Sequence, residues 1–479
     1  MAHRPRRHHR RGPRVSSASE SPLFDVTVIG AGAVGSAIAR ELTLHDLTVA
    51  LVEAKPDVGA GTSKANTAIW HTGFDAKPGS LEARLVARGH QLLHQRAASS
   101  GWPLRRTGAV LVAWDDDQRE RLPAIEANAV DVGYPHISSL RPHEVYELEP
   151  HLGPGVTGGL LVPDEGLLDP WAITIGLATE AVLNGARLYR GSPVVAVEGD
   201  GQGHAVVTGA GRIRTRWVVD AAGLNSDVVD RFFAPDDFTV TPRRGQLVVF
   251  DKLAARLLSR IILPVPTATT KGVLVSPTIF GNVLLGPTAE DLDDKTATQT
   301  TRVGLDYLLA HGRRIMPELV DEEVTATYAG LRAATEHSDY RYRVFADKRY
   351  VRVAGIRSTG VSSALAIAEQ LIDDLSNAGE PLTLRADFVS WRTPSLDEDS
   401  TRPYQDAVRV ARDPAYGDIV CHCERATRGE IRDALNSPIP PVDVDGLRRR
   451  TRTLMGRCQG FFCAARVSEL MSASGDDRG

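Results

Sequence analysis

The sequence reads as an α/β protein in three parts. A Rossmann-like dinucleotide-binding domain is interleaved with a mixed α+β domain, and a small helical module closes the chain. Three observations predict this. A glycine-rich turn, Gly30-Ala-Gly32-Ala-Val-Gly35, stands between an apolar run and a helical one. Strand-like runs broken by Pro and Gly recur through the middle of the chain. All four cysteines, Cys421, Cys423, Cys458 and Cys463, fall near the C-terminus.

Phe24 to Ile29 is a short apolar run of strand type, Gly35 to Leu44 reads as a helix, and Thr48 to Ala54 as the next strand. "DPWAITIGLATEAVLNGARLYRG" is a helix ending at Gly185 with a strand after it. Val240 to Asp251 and Val273 to Leu285 alternate like strands of an antiparallel sheet. "RYVRVAGIRSTGVSSALAIAEQLIDDL" again runs strand, glycine turn, helix. These assignments put the dinucleotide-binding domain at about 24–105, 155–230 and 345–380. The second domain takes about 106–154 and 231–344, the whole catalytic unit spanning 24–390. Polar residues over 391–416 read as a linker, and 417–472 as the cysteine module.

Of 479 residues, 42% are apolar and 24% charged, ordinary values for a chain that buries a large core. A net charge of −4 gives no argument for nucleic acid. No uncharged apolar run is long enough for a transmembrane helix. The opening "MAHRPRRHHRRGPRV" has six arginines and no apolar centre, so it is not a secretory signal. Residues 1–23 read as a disordered basic tail. The expected location is cytoplasmic, with docking at the inner face of the membrane left open. Thiols kept reduced there favour metal binding over disulfides.

In the glycine turn, Gly30 makes the bend and Gly32 lets backbone approach a pyrophosphate. Gly35 lets helix and strand pack closely, with the helix N-terminus facing phosphate charge. Glu53 ends the second strand, where a carboxylate can accept bonds from ribose hydroxyls. The stretch Gly59 to Ser80, "GAGTSKANTAIWHTGFDAKPGS", is rich in small and polar residues and suits passage along an extended ligand.

With that stretch, "DEGLLDP", "WVVDAAG", "TPRRGQL", "AGLRA" and "GIRSTG", the chain resembles FAD-dependent oxidoreductases of the D-amino-acid oxidase class. More narrowly it resembles glycerol-3-phosphate and L-2-hydroxyglutarate dehydrogenases. The resemblance implies FAD, with Ser63 and Asn66 lining its diphosphate and flavin and Val195 meeting the adenine through its backbone. Ala222 and Gly223 would pass under the cofactor, and Gly355 and Gly360 would bring a helix N-terminus to the flavin. There the positive helix end suits the negative charge of reduced flavin.

Oxidising an alcohol needs a base, and His71 suits proton transfer near neutrality. Covalent attachment of flavin and a purely structural bond are its other readings. The resemblance makes Arg332 an anchor for substrate carboxylate or phosphate, with Arg357 able to share the task; their bland reading is a surface or interdomain salt bridge. A guanidinium stays charged and grips two oxygens. His337 and Arg341 are supporting candidates, and Arg243, Arg244 and Lys271 would suit a phosphate.

The cysteine spacing, C-x-C and then C-x4-C, fits neither zinc ribbons nor plant-type ferredoxins. With "TRGEI" and "GRCQGFFC" it resembles the [2Fe-2S] domain of bacterioferritin-associated ferredoxin. Two helices are expected between and after the pairs, and Thr427 with Glu430 forms a capping box. Zinc in the same four thiolates is the rival.

The expected function is oxidation of a small anionic hydroxy compound, with glycerol 3-phosphate ahead of L-2-hydroxyglutarate. Electrons would leave through the cluster to a one-electron acceptor, quinone-linked or a partner subunit. A rival of another class is an electron-entry subunit of a larger complex.

Overall fold

The computed structural model describes residues 22–199, 201–233, 237–266 and 272–476. The basic tail to position 21 and Lys271 lie outside the described residues. The strand Leu23–Ile29 is central in an eight-stranded sheet, parallel to Val49–Val52 on one side and Gly211–Asp220 on the other. Val49–Val52 pairs in parallel with Arg187–Tyr189, and Gly211–Asp220 with Tyr350–Ala354. Strands from three distant parts of the chain thus build one doubly wound layer. The central strands Leu23–Ile29 and Val49–Val52 are buried along nearly their whole length, which explains why they read as continuous apolar runs.

Helices Ala33–Leu42, Pro170–Leu183 and Gly360–Asn377 pack together over this sheet, and Leu81–Ser100 packs on the last of them. Close approach is enforced at two glycines. A Cβ on Gly35 would stand 1.8 Å from the Gly30 carbonyl oxygen, and one on Gly89 would stand 2.0 Å from that of Ser362.

The second sheet has nine strands. Its spine is the antiparallel pair Thr241–Phe250 and Val324–Ala334, in register from Thr241↔Ala334 to Phe250↔Val324. The alternating run from Val273 to Leu285 forms a hairpin, Leu274–Pro277 and Val283–Gly286. The break falls at Thr278–Asn282, where the Thr278 amide donates to the Asn282 carbonyl.

Residues 391–416 are not a loose linker. Asp397 is buried and accepts from the amides of Asp399 and Ser400. Arg402 is buried and donates to the Glu424 carbonyl and the Glu430 carboxylate. Polar composition hid this order because the polar groups bond to one another.

The C-terminal module has helices Arg428–Leu435 and Val444–Thr451 between the cysteine pairs and Ala464–Asp476 after them. The Thr427–Glu430 capping box forms, the Thr427 hydroxyl accepting at 3.2 Å and the Glu430 carboxylate at 2.9 Å. Among the described residues no helix is long and apolar enough to cross a membrane.

Candidate active site

The carboxyl ends of the parallel strands open into a cavity of about 540 Å3. Ligands of doubly wound sheets bind at this position. Gly30, with φ at +104°, turns the chain so closely that a Cβ would stand 2.4 Å from the Ala221 carbonyl oxygen. Gly32 and Ala33 open the first helix onto the cavity, and the Ala33 amide donates to the Ser63 hydroxyl at 2.9 Å. Gly35 does not line the cavity; it is the packing glycine.

Glu53 lies on the cavity wall with both oxygens engaged, accepting from the Ala31 and Lys55 amides at 2.8 Å each. Burial nevertheless raises its pKa above the usual carboxylate value. Asn66, Ala222, Gly223, Gly355 and Gly360 also line the cavity. Val195 does not. Its neighbours Ser192, Pro193 and Val194 do, while Val195 is 60% exposed. Successive residues of a strand face opposite sides, and a bulge between Val194 and Ala196 fixes which side is inward.

His71, Arg332 and Arg357 meet on this cavity although hundreds of residues separate the first from the others. A second cavity of about 110 Å3 adjoins it and shares His71, Arg332 and Ser358. The His71 amide donates to the Ser362 hydroxyl, and the His71 carbonyl contacts Nδ1 of His90, whose ring stacks on Trp70 at 3.9 Å. The imidazole Nδ1 lies 3.3 Å from Oε2 of Glu165. Glu165 is wholly buried, and its other oxygen accepts from the amide and hydroxyl of Thr72. Among the described residues that Oε2 makes no hydrogen bond, so the contact is one of charge and proximity, with Nδ1 on the carboxylate side of the ring.

Arg332 makes no ion pair among the described residues, and its Nη2 donates to the Thr288 carbonyl at 2.6 Å. Burial pushes its pKa down to about 10, with the charge of Arg243 acting in the same direction. A Cβ at Gly245 would stand 2.8 Å from that Nη2, so glycine there gives the guanidinium its room. Arg357 is tied to Glu82 at 3.2 Å and to the Ser338 carbonyl at 2.7 Å.

The other basic candidates fall elsewhere. Arg243 is paired with Asp291 and Arg244 with Glu290, so neither is free for a phosphate. His337 and Arg341 both engage Asp237, away from the cavity. Two residues were missed by sequence reasoning. Lys295 lines the cavity and pairs with Asp227 at 2.6 Å, and no local pattern marks it. Glu165 sits inside "DEGLLDP", where an acid before a buried apolar strand was the available signal.

In the C-terminal module the four cysteines are free thiols that neighbour one another as two pairs, Cys423 with Cys458 and Cys421 with Cys463. The amides of Phe462, Gly460 and Phe461 point at Cys458 and hold its pKa below the ordinary thiol value. Burial pushes Cys463 up to about 11. Among the described residues no three ligand side chains gather into a preformed single-ion cage. Four thiolates in two pairs, with amides donating to sulfur, fit a two-iron cluster better than one tetrahedral ion.

Residues 25–374 match the family model "FAD dependent oxidoreductase". The chain belongs to this family. Residues 419–473 match the BFD-like [2Fe-2S] binding domain, which fits the paired thiols. A glycerol 3-phosphate dehydrogenase of Caloramator mitchellensis is 38% identical over 453 residues, 94% of each chain. The dithionite-reduced L-alpha-glycerophosphate oxidase of Mycoplasma pneumoniae, solved with FAD bound, is 29% identical with a TM-score of 0.74. That match covers 78% of this chain and all of the other. A mitochondrial L-2-hydroxyglutarate dehydrogenase of Caenorhabditis elegans is 28% identical, over 58% of this chain and 66% of its own. This oxidoreductase therefore combines an FAD domain with a [2Fe-2S] module in one chain.

Proposed function

We propose that this flavoprotein oxidises glycerol 3-phosphate to dihydroxyacetone phosphate and passes the electrons through its [2Fe-2S] module to a one-electron acceptor, quinone-linked or a partner subunit. One observation carries the reading: His71 and Arg332 face the same pair of adjoining cavities, the first backed by a buried carboxylate and the second without one. The similarity to a glycerol 3-phosphate dehydrogenase over both domains supports it. Bound FAD supplies the hydride acceptor. Arg332 grips the substrate's phosphate with two N–H groups, and its partial burial strengthens that bond. His71, with Glu165 beside its Nδ1, takes the hydroxyl proton at Nε2 as the carbon is oxidised. Gly360 and its neighbours present the N-terminus of the Gly360–Asn377 helix, whose positive end favours reduced flavin.

Anaerobic titration of the FAD-loaded protein tests this. Glycerol 3-phosphate should bleach the flavin band stoichiometrically. Bleaching by L-2-hydroxyglutarate instead, or by neither compound, would refute the substrate assignment. A chain that serves only as an electron-entry subunit would bleach with neither until its partner is added.

A further inference from the structure

Between the large cavity and the cysteine module lies a continuous stack that neither site uses. Ser63 and Leu168 are on the cavity wall. Lys64 follows Ser63, and its carbonyl accepts from the indole Nε1 of Trp171 at 3.1 Å. Trp171 lies only three residues beyond Leu168, so two short stretches of backbone lead from the cavity to one indole. Its ring stacks on Phe280, with centroids 5.5 Å apart and planes at 17°. The guanidinium of Arg452 lies 3.9 Å from the Phe280 centroid. Arg452 then donates through Nε to Glu424 at 2.8 Å. Glu424 is the chain neighbour of Cys423, and Arg452 is two residues from Leu454, whose amide points at Cys463. Phe280, Arg452 and Glu424 are all buried.

We infer that Trp171, Phe280 and Arg452 form the electron path from the flavin cavity to the cluster. Tunnelling weakens less through bonds, hydrogen bonds and packed rings than across gaps, and this stack has no gap. Bulk docking of the module is borne elsewhere, by Asp57 with Arg449 and Arg450 and by Lys64 with Asp445. Each transfer would take one electron from reduced flavin held in the cavity to one ferric ion held by the four cysteines, and the single proton delivered with the hydride would leave to solvent once both electrons have gone. The external acceptor reoxidises that iron before the second electron follows. The inference rests on the flavin-to-cluster direction proposed above.

Flash photoreduction of flavin in the anaerobic, fully loaded protein tests the path without any substrate. Absorbance at flavin and cluster bands gives the rate of cluster reduction. In Trp171→Leu and Phe280→Leu that rate should fall by roughly ten-fold or more, whereas Trp171→Phe, which keeps a ring, should stay near the parent rate. Midpoint potentials of both groups should be unchanged. Limited proteolysis of the cofactor-free chains should show residues 391–416 as protected as in the parent. Rates in both leucine variants close to the parent's would overturn the path. So would slowing accompanied by shifted potentials or by new cleavage in 391–416, since driving force or undocking would then explain it. Absence of cluster reduction in the parent chain would instead refute the direction of electron flow.

Discussion

Two regions bury arginine, and they do so in opposite ways. Where the cysteine module meets the FAD domain, Arg449 and Arg450 converge on Asp57, at 2.9 Å and 2.6 Å, and each is nearly inaccessible. Both of these cations have a carboxylate. Beside the cavity, Arg332 is partly buried and bonded to a carbonyl, and the nearby Asp291 is already paired with Arg243. A buried charge without a partner is costly, so a matched set marks structure and an unmatched one marks a site that an anion completes. The difference separates a docking surface from an active site without reference to motif.

Breaking the matched set should cost the most. Asp57→Ala leaves the buried Arg450 guanidinium without a carboxylate and Arg449 with Asp445 alone, a loss of about 3–5 kcal/mol from the docked state. Proteolysis should then cut within 391–416, while substrate still reduces the flavin at the parent rate. Changing the unmatched cation should do the reverse. Arg332→Ala should lower kcat/KM for glycerol 3-phosphate by about 10²–10³-fold, the loss of a desolvated charge-assisted bond. Its melting temperature should change little, because the partner left behind is the Thr288 carbonyl and not a buried charge. If Arg332→Ala melts early and Asp57→Ala stops flavin reduction, the distinction fails.

The same contrast governs what could be read from the sequence. The glycine turn and the four cysteines were legible because their chemistry is local: a few residues dictate the backbone approach or the metal-binding set. Arg332 and His71 required a resemblance, since only the strand pairing of Thr241–Phe250 with Val324–Ala334 brings Arg332 to the cavity. Lys295 was invisible, and Glu165 had only the signal of an acid before a buried strand, because their roles depend on partners far away in sequence. Val195 stands one residue beyond the cavity-lining Ser192, Pro193 and Val194, and the bulge that sets which side chains of this strand face inward is not encoded in composition. The order within 391–416 was hidden for a related reason: its polar residues bond both within the segment, as Asp397 does, and to distant partners, as Arg402 does to Glu430.

Asp169 sharpens the comparison with a buried carboxyl between the two regions. It caps the Pro170–Leu183 helix, accepting from the amides of Trp171 and Ala172, yet burial raises its pKa from 3.8 to about 6. The folded state therefore holds the proton more tightly than the unfolded one. Stability from this group is complete below about pH 4 and declines as pH rises to about 6, by about 1–3 kcal/mol. Above that window it is flat. Asp169→Asn keeps a capping oxygen and cannot ionise, so it should gain stability over the parent at pH 7.5 but not at pH 4. Thermal melts at the two pH values decide it, and an equal effect at both would disprove the burial account.

The smallest expected effect belongs to Glu165, which touches His71 and no substrate-facing space of its own. Glu165→Gln retains size and the contacts to Thr72 but removes the charge opposite Nδ1. If the carboxylate aligns the imidazole, kcat should fall about ten-fold with little change in KM, equal to about 1.4 kcal/mol in the transition state. Glu165→Asp, which keeps the charge at a shorter reach, should recover part of that loss. The double change with His71→Ala should cost no more than His71→Ala alone, because residues that act as a unit are not additive. Additive losses would mean that Glu165 supports the fold around Thr72 and leaves the orientation of His71 to the stacked His90.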